Sequence, residues 1–222
     1  MAIVVGAGGP LGRATAAAIA ADGLTVVGVD RNEHGLSELP DGVRREVADA
    51  TDPAEAAQVI DRIAAQVGPP DVLVNTIGTF QLGDAVATTP ETLRLMFDVN
   101  LATALWLSRA AAPHMQRQGS GAIVHVSARP GIEPSAGMAA YSISKAALVH
   151  LTRVLDVELR PHGIRVNAVA PQLIDTPLNR TLFPSDVLAH AVAPEAIAGI
   201  IAFLVSDAAA PVSGAILPAY GG

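Results

Sequence analysis

Short apolar runs rich in β-branched residues recur along the chain at residues 3–5, 25–29, 43–47, 72–74, 123–126, 165–169 and 215–217. Each has the length and unbroken apolar character of a strand buried on both faces. Between them lie alanine-rich stretches of helical character at residues 11–22, 53–67, 90–118, 139–160 and 194–206. Pro53, Pro90 and Pro194 stand where a first helical turn tolerates proline, and Gly23, Gly68, Gly119 and Gly163 follow helical stretches as stop signals. Strand-helix alternation over the whole length predicts an α/β fold, a doubly wound parallel sheet of about seven strands with helices on both faces. Residues 90–118 read as one long helix.

Composition narrows the classes of function. A chain of 222 residues suits one domain, 1–222, and 50% hydrophobic against 16% charged residues describes a well-packed interior. Aromatic content of 3% and a formal charge of −7 exclude a nucleic-acid surface, which needs basic stripes and stacking platforms. Partners are then small molecules or further copies of the chain. Cysteine is absent, so there is no disulfide framework, thiolate nucleophile or thiolate metal site, in keeping with a reducing cytoplasm. The first nine residues lack a basic region and carry glycines within their apolar stretch, which is unlike a signal peptide. No run approaches the roughly 18 unbroken apolar residues of a membrane span.

The first apolar run leads directly into Gly6-Ala7-Gly8-Gly9-Pro10-Leu11-Gly12 and then a helical stretch. Small residues there let backbone amides and the positive end of a helix approach a pyrophosphate, so Gly6, Gly9, Leu11 and Gly12 are candidates for dinucleotide binding; the alternative is a tight turn. Asp30 closes the second strand, where a carboxylate can accept hydrogen bonds from both adenosine ribose hydroxyls and repel a 2′-phosphate, favouring NAD(H). Arg31 beside it could instead fold over a 2′-phosphate, which keeps NADP(H) possible, or pair with Asp30 in solvent. Asp49 follows the third strand and either reaches the adenine edge or caps the helix before Pro53.

Tyr141 and Lys145 stand four residues apart in a helical stretch, which sets a phenol beside an ammonium. A tyrosine of pKa roughly 10 is a poor acid near neutrality, and a nearby cation lowers that value, so the pair can form a proton donor; an incidental surface pair is the alternative. No two of the six histidines show metal-ligand spacing, so His125 and His150 read as structural and no metal is expected. Met96, Phe97 and Trp106 read as core or subunit contacts.

Taken in order, these motifs resemble the short-chain dehydrogenase/reductase family along essentially the whole chain. Asn75-Thr76-Ile77-Gly78 is similar to the family's turn after the fourth strand, Asn100 to its helix asparagine, Tyr141 with Lys145 to its active-site pair, and residues 165–171 with Asp175-Thr176-Pro177 to the segment beside the nicotinamide. The resemblance implies a Rossmann-like fold and an NAD(P)-dependent oxidoreductase moving hydride to or from a small C=O/CH–OH or C=N group. It implies Tyr141 as proton donor, Lys145 holding the nicotinamide ribose, and Asn100 kinking its helix around a proton-relaying water. It further implies Asn75 and Gly78 at the cofactor, Ile174 and Thr176 at the carboxamide, a homo-oligomer (dimer or tetramer), and a substrate lid at about 177–193.

Several positions depart from that family. Its catalytic serine falls at Ala128 here; Ser127 should face away, and Ser135 is a possible substitute. Val5 and Pro10 alter the phosphate loop, Gln172 replaces a glycine after Pro171, and the lid is short. These features resemble the dihydropteridine reductase branch, which implies a C=N substrate. Leu178, Leu182, Phe183 and Val187 make the lid apolar, so Ala128, Ser135, Leu178 and Phe183 are candidate substrate contacts. The same departures motivate an alternative: a dinucleotide-binding regulatory protein with little or no catalysis.

Overall fold

In the computed structural model, which describes residues 1–221, the apolar runs pair into one parallel sheet in the order β3-β2-β1-β4-β5-β6-β7. The strands are β1 (Ala2–Val5), β2 (Val26–Asp30), β3 (Arg44–Val47), β4 (Val72–Asn75), β5 (Gly121–Val126), β6 (Ile164–Pro171) and β7 (Ile216–Ala219). The chain builds outward from β1 through β2 to β3, then returns to the other side of β1 to begin β4. Val5 consequently stands level with both Val29 and Asn75. At that reversal the loops leaving β1 and β4 diverge and open a crevice at the carboxyl ends of the strands.

Helices cover both faces. On one face Val4, Val26 and Val124 pack against Ile19 of α1 (Pro10–Ala21) and Ile197 and Ile201 of α9 (Pro194–Val205). On the other, Ile3, Val27 and Ile123 pack against Ile60 of α3 (Pro53–Gln66) and Leu107 and Met115 of α5 (Thr103–Gln118). Burying each such side chain contributes about 1.5–3 kcal/mol, and burial on two sides explains the unbroken apolar runs.

β3 departs from the expectation of a buried strand. Arg44, Arg45 and Glu46 lie on a mostly exposed edge, where charged side chains discourage pairing with another chain. β7 forms the opposite edge and accommodates Pro218 there. Three short helices, α2 (Glu33–Ser37), α7 (Pro177–Leu182) and α8 (Ser185–Leu188), have no counterpart in the sequence reading. Residues 90–118 are helical throughout, but α4 (Pro90–Phe97) passes through a π turn at Asp98–Ala102, at Asn100, before α5 begins. α6 (Ala139–Leu159) runs unbroken beside that turn.

Candidate active site

β1 ends in a loop that packs closely against the start of α1. Gly6 has φ +82°, a conformation glycine adopts without penalty, and a Cβ on Gly12 would lie 2.1 Å from the Gly6 carbonyl oxygen. This close approach brings α1 against the loop. Gly9, the residue before α1, offers no side-chain acceptor to the helix's first amides. Gly6 and Gly9 line a cleft of about 360 Å³ together with Asp30, Arg31 and Asp49.

Asp30 accepts from the Gly8 amide and from the Asn32 amide, both at 2.9 Å, so the carboxylate ties the end of β2 to the glycine loop. Arg31 is 72% exposed and lies 3.9 Å from the Asp49 carboxylate. Asp49 turns back on Thr51, accepting from its hydroxyl and its amide, and these bonds hold its pKa below the usual carboxylate value. The cap of α3 is Asp52, which accepts from Ala54 and Glu55 amides. Asp49 is thus left on the cleft wall.

Tyr141 and Lys145 stand one turn apart on α6 and line a second cleft of about 590 Å³. Lys145, the one lysine of the chain, is 3% exposed and donates to the Val126 carbonyl at 2.9 Å. Burial lowers its pKa to about 8. Burial also pushes the Tyr141 phenol up to about 12. The ammonium lies 6.0 Å from the Tyr141 ring centroid, so among protein groups alone desolvation outweighs the cation. The acidified phenol expected from the four-residue spacing is not met among the protein groups: burial holds the Tyr141 hydroxyl protonated.

Asn100 sits fully buried within the π turn. The extra residue of that turn aims its amide at the loop after β4, where Nδ2 donates to the Thr79 carbonyl and Oδ1 accepts from the Thr79 amide, each at 2.9 Å. Nδ2 also donates to Ser144 Oγ at 3.0 Å, tying the turn to α6. A Cβ on Gly78 would meet Lys145 Nζ at 3.2 Å and Asn100 Oδ1 at 3.4 Å, which places these three residues in one small volume. Thr76, Gly78 and Thr79 line both clefts and join them.

Around the second cleft, Ala128 is 4% exposed and carries no hydroxyl. Ser127 donates to the Lys145 carbonyl at 3.1 Å, and Ser135 lines the wall. Ile174, Thr176, Leu178 and Phe183 line the same cleft. Thr176 accepts from the Asn179 amide at 3.2 Å and so starts α7. Sequence reasoning missed Phe80, whose ring packs edge-on to Tyr141 at 6.2 Å and stacks on Phe183 at 6.0 Å. Its signal was an aromatic residue just after Gly78 in a chain with few aromatics. Arg129 and Gln172 were also missed as cleft residues.

A family model described as short chain dehydrogenase matches residues 1–186. The chain belongs to the short-chain dehydrogenase/reductase family. It is 38% identical over 246 residues to cis-4-hydroxycyclohexanecarboxylate dehydrogenase of Sinomonas cyclohexanicum, spanning 100% of this chain and 95% of that protein. It is 32% identical over 234 residues to the 3-oxoacyl-[acyl-carrier-protein] reductase FabG of Escherichia coli, spanning 100% and 96%. The L-sorbose reductase of Gluconobacter frateurii, solved with NADPH and L-sorbose, superposes with a TM-score of 0.91 at 26% identity, covering 100% of this chain and 95% of that one. As a short-chain dehydrogenase/reductase, the protein is an NAD(P)-dependent oxidoreductase, and these relatives do not favour the non-catalytic alternative.

The remaining candidate residues of this short-chain dehydrogenase/reductase take the following places. Leu11, 7% exposed, turns its side chain into the core, and Gly12 stands close against the Gly6 carbonyl at the start of α1. Asn75 is buried and spends Oδ1 on the Ile77 amide at 3.0 Å, shaping the turn behind the cleft wall. Met96 belongs to the core, and its sulfur contacts the Asn100 amide. Among the described residues no group of three or more His, Asp or Glu is placed to hold a metal ion, and no helix is long and apolar enough to cross a membrane.

Proposed function

We propose that this chain uses NAD(H) in preference to NADP(H) to interconvert a carbonyl and an alcohol on a small, largely apolar substrate, with Tyr141 as the proton donor. The observation that carries the reading is the convergence of Lys145 Nζ, Asn100 Oδ1 and Gly78 where the glycine-loop cleft meets the cleft of Tyr141. Gly6 and Gly9 would seat the pyrophosphate, Asp30 the adenosine ribose and Asp49 the adenine edge; the exposure of Arg31 supports NAD(H). Lys145 would hold the nicotinamide ribose, and Ile174 and Thr176 the carboxamide. When bound, the nicotinamide supplies or takes the hydride.

In reduction, Tyr141 gives its hydroxyl proton to the substrate oxygen as the new C–H bond forms; in oxidation the same oxygen takes the proton back. A phenol held neutral is the form reduction requires. Asn100 keeps α4 and α5 offset around Thr79, and so shapes the cleft floor beside Lys145. The segment 177–193 acts as a substrate lid on one domain, with Leu178 and Phe183 closing over the substrate, Phe80 carrying Phe183 to Tyr141, and Ala128 and Ser135 on the opposite wall. The name of the hydroxycyclohexanecarboxylate relative supports a secondary alcohol or ketone on an apolar skeleton. A quinonoid C=N group, as in the dihydropteridine reductase branch, is the second reading; Ala128 favours it, since such an acceptor needs no serine donor. Exposed Leu95, Ile143 and Val157 on α4 and α6 support pairing of copies into a dimer or tetramer, and the cysteine-free composition supports a cytoplasmic setting.

The test is Tyr141→Phe. Turnover should fall several hundredfold while NADH affinity stays within about twofold, because only proton transfer in the transition state is removed. Unchanged turnover on the best substrate of a ketone and imine panel refutes Tyr141 as donor.

A further inference from the structure

We propose that the substrate cleft contains a carboxylate-binding site built on Arg129, so that the substrate is an apolar carbonyl or alcohol bearing an acid group. The proposal deepens the oxidoreductase reading and rests on it for the identity of the cleft. Among the charged residues lining that cleft, Lys145 is committed to Val126 and the catalytic centre, which leaves Arg129 and Glu133. Arg129 directly follows Ala128, so its side chain leaves the backbone beside the position where the family places its serine.

Three contacts fix the guanidinium. Its Nε donates to Glu133 at 2.8 Å, its Nη1 donates to Gln172 Oε1 at 2.9 Å, and its carbon lies 4.9 Å over the centroid of the Tyr220 ring. A contact over the ring engages the guanidinium through its charge and leaves its N–H groups for hydrogen bonds. Of the five N–H groups an arginine carries, Glu133 and Gln172 take two; the remaining three have no protein acceptor among the described residues. A planar edge with spare donors, held in one orientation within a cleft, is the geometry that receives a carboxylate in bidentate fashion.

Gln172 acquires a purpose here. It stands where the family has a glycine, which could not reach Arg129 as the Gln172 amide does. Glu133 is the competing anion, but its side chain is 47% exposed, and an ion pair so open to water is weak enough for a substrate carboxylate to share the guanidinium. The other end of the cleft is apolar: Phe80, Phe183, Leu178 and Val187 lie with Tyr141. An apolar body against that wall and an anionic end at Arg129 satisfy both halves of the cleft. A neutral polyol or hydrocarbon satisfies only one.

Calorimetric titration with cyclohexanecarboxylate and cyclohexanecarboxamide, in the presence of NADH, separates the charge from the shape. The carboxylate should bind at least tenfold more tightly to the wild type. Arg129→Gln should bring the two probes within twofold of each other, and Glu133→Gln, which removes the competing anion, should widen the preference several-fold. Equal or absent binding of both probes to the wild type, or a preference that survives Arg129→Gln, overturns the site. Oxidation of NADH with cyclohexanone and 4-oxocyclohexanecarboxylate tests the underlying chemistry separately. A carboxylate preference without turnover of either ketone sinks the hydride-transfer reading and leaves the anion site standing. Equal turnover of both ketones with no binding preference does the reverse.

Discussion

Lys145 permits an unusually clean test of what its burial costs. Keeping an ammonium charged in the interior lowers its pKa from 10.5 to about 8, which corresponds to about 3 kcal/mol of folding free energy at neutral pH. The folded value lies below the unfolded one, so the unfolded chain binds more protons between about pH 8 and 10.5 and stability rises with pH across that window. Tyr141 acts in the opposite sense, since its folded value is raised, but only above its ordinary value of 10.0. Because the chain has a single lysine, protein labelled with carbon-13 at the lysine ε position gives one resonance, and its titration reads the folded pKa directly. Guanidinium unfolding at pH 7.5 and pH 10 should show the wild type gaining about 2 kcal/mol relative to Lys145→Met, which has no charge to bury. A resonance titrating near 10.5, or parallel stability curves for the two proteins, refutes the reasoning.

Three further outcomes follow from the geometry. Asp30→Ala should lower the ratio of kcat/KM for NADH over NADPH by roughly tenfold or more, since the carboxylate proposed to meet the ribose and its bond to Gly8 are both lost; an unchanged ratio removes Asp30 from cofactor choice. Gly12→Ala forces a methyl to 2.1 Å from the Gly6 carbonyl, so thermal unfolding should move down by several degrees, and nucleotide affinity should drop with it; a melting curve identical to wild type would show that the loop relaxes freely. Ala128→Ser should raise ketone reduction by roughly tenfold if the added hydroxyl reaches the reacting oxygen, and no gain on any ketone would direct attention to the C=N reading.

The sheet was legible because its central strands are buried on both faces and therefore unbroken in sequence. β3 was misjudged for the same reason: at an edge, burial no longer constrains the residues, and Arg44 to Glu46 follow solvent rather than packing. The π turn after Phe97 has no signature in the apolar pattern, since Asp98 to Ala102 read as ordinary helix; only the resemblance pointed to a kink at Asn100, and the Thr79 backbone that captures it comes from a distant loop. Tyr141, Lys145 and Asp30 could be found by spacing and position. Phe80 left only the faint signal of an aromatic after Gly78, and the pairing of Arg129 with Gln172 left none, because it exists only across β5 and β6.

With Ala128 in place of a serine, Tyr141 remains the one hydroxyl of the proposed catalytic set, and the setting amplifies its effect. Ala128, Phe80 and the apolar lid residues leave few polar groups near the phenol, and a hydrogen bond made in such surroundings is electrostatically stronger than the same bond in water. The burial that drives the phenol to about 12 also keeps it protonated throughout the physiological range, so the donor is always loaded when the carbonyl becomes an alkoxide. Two donors in a wetter cleft and one donor in a drier cleft are alternative solutions to the same charge development. The second makes turnover depend on how completely residues 177–193 exclude water, and it ties the absent hydroxyl at position 128 to the aromatic contact between Phe80 and Phe183.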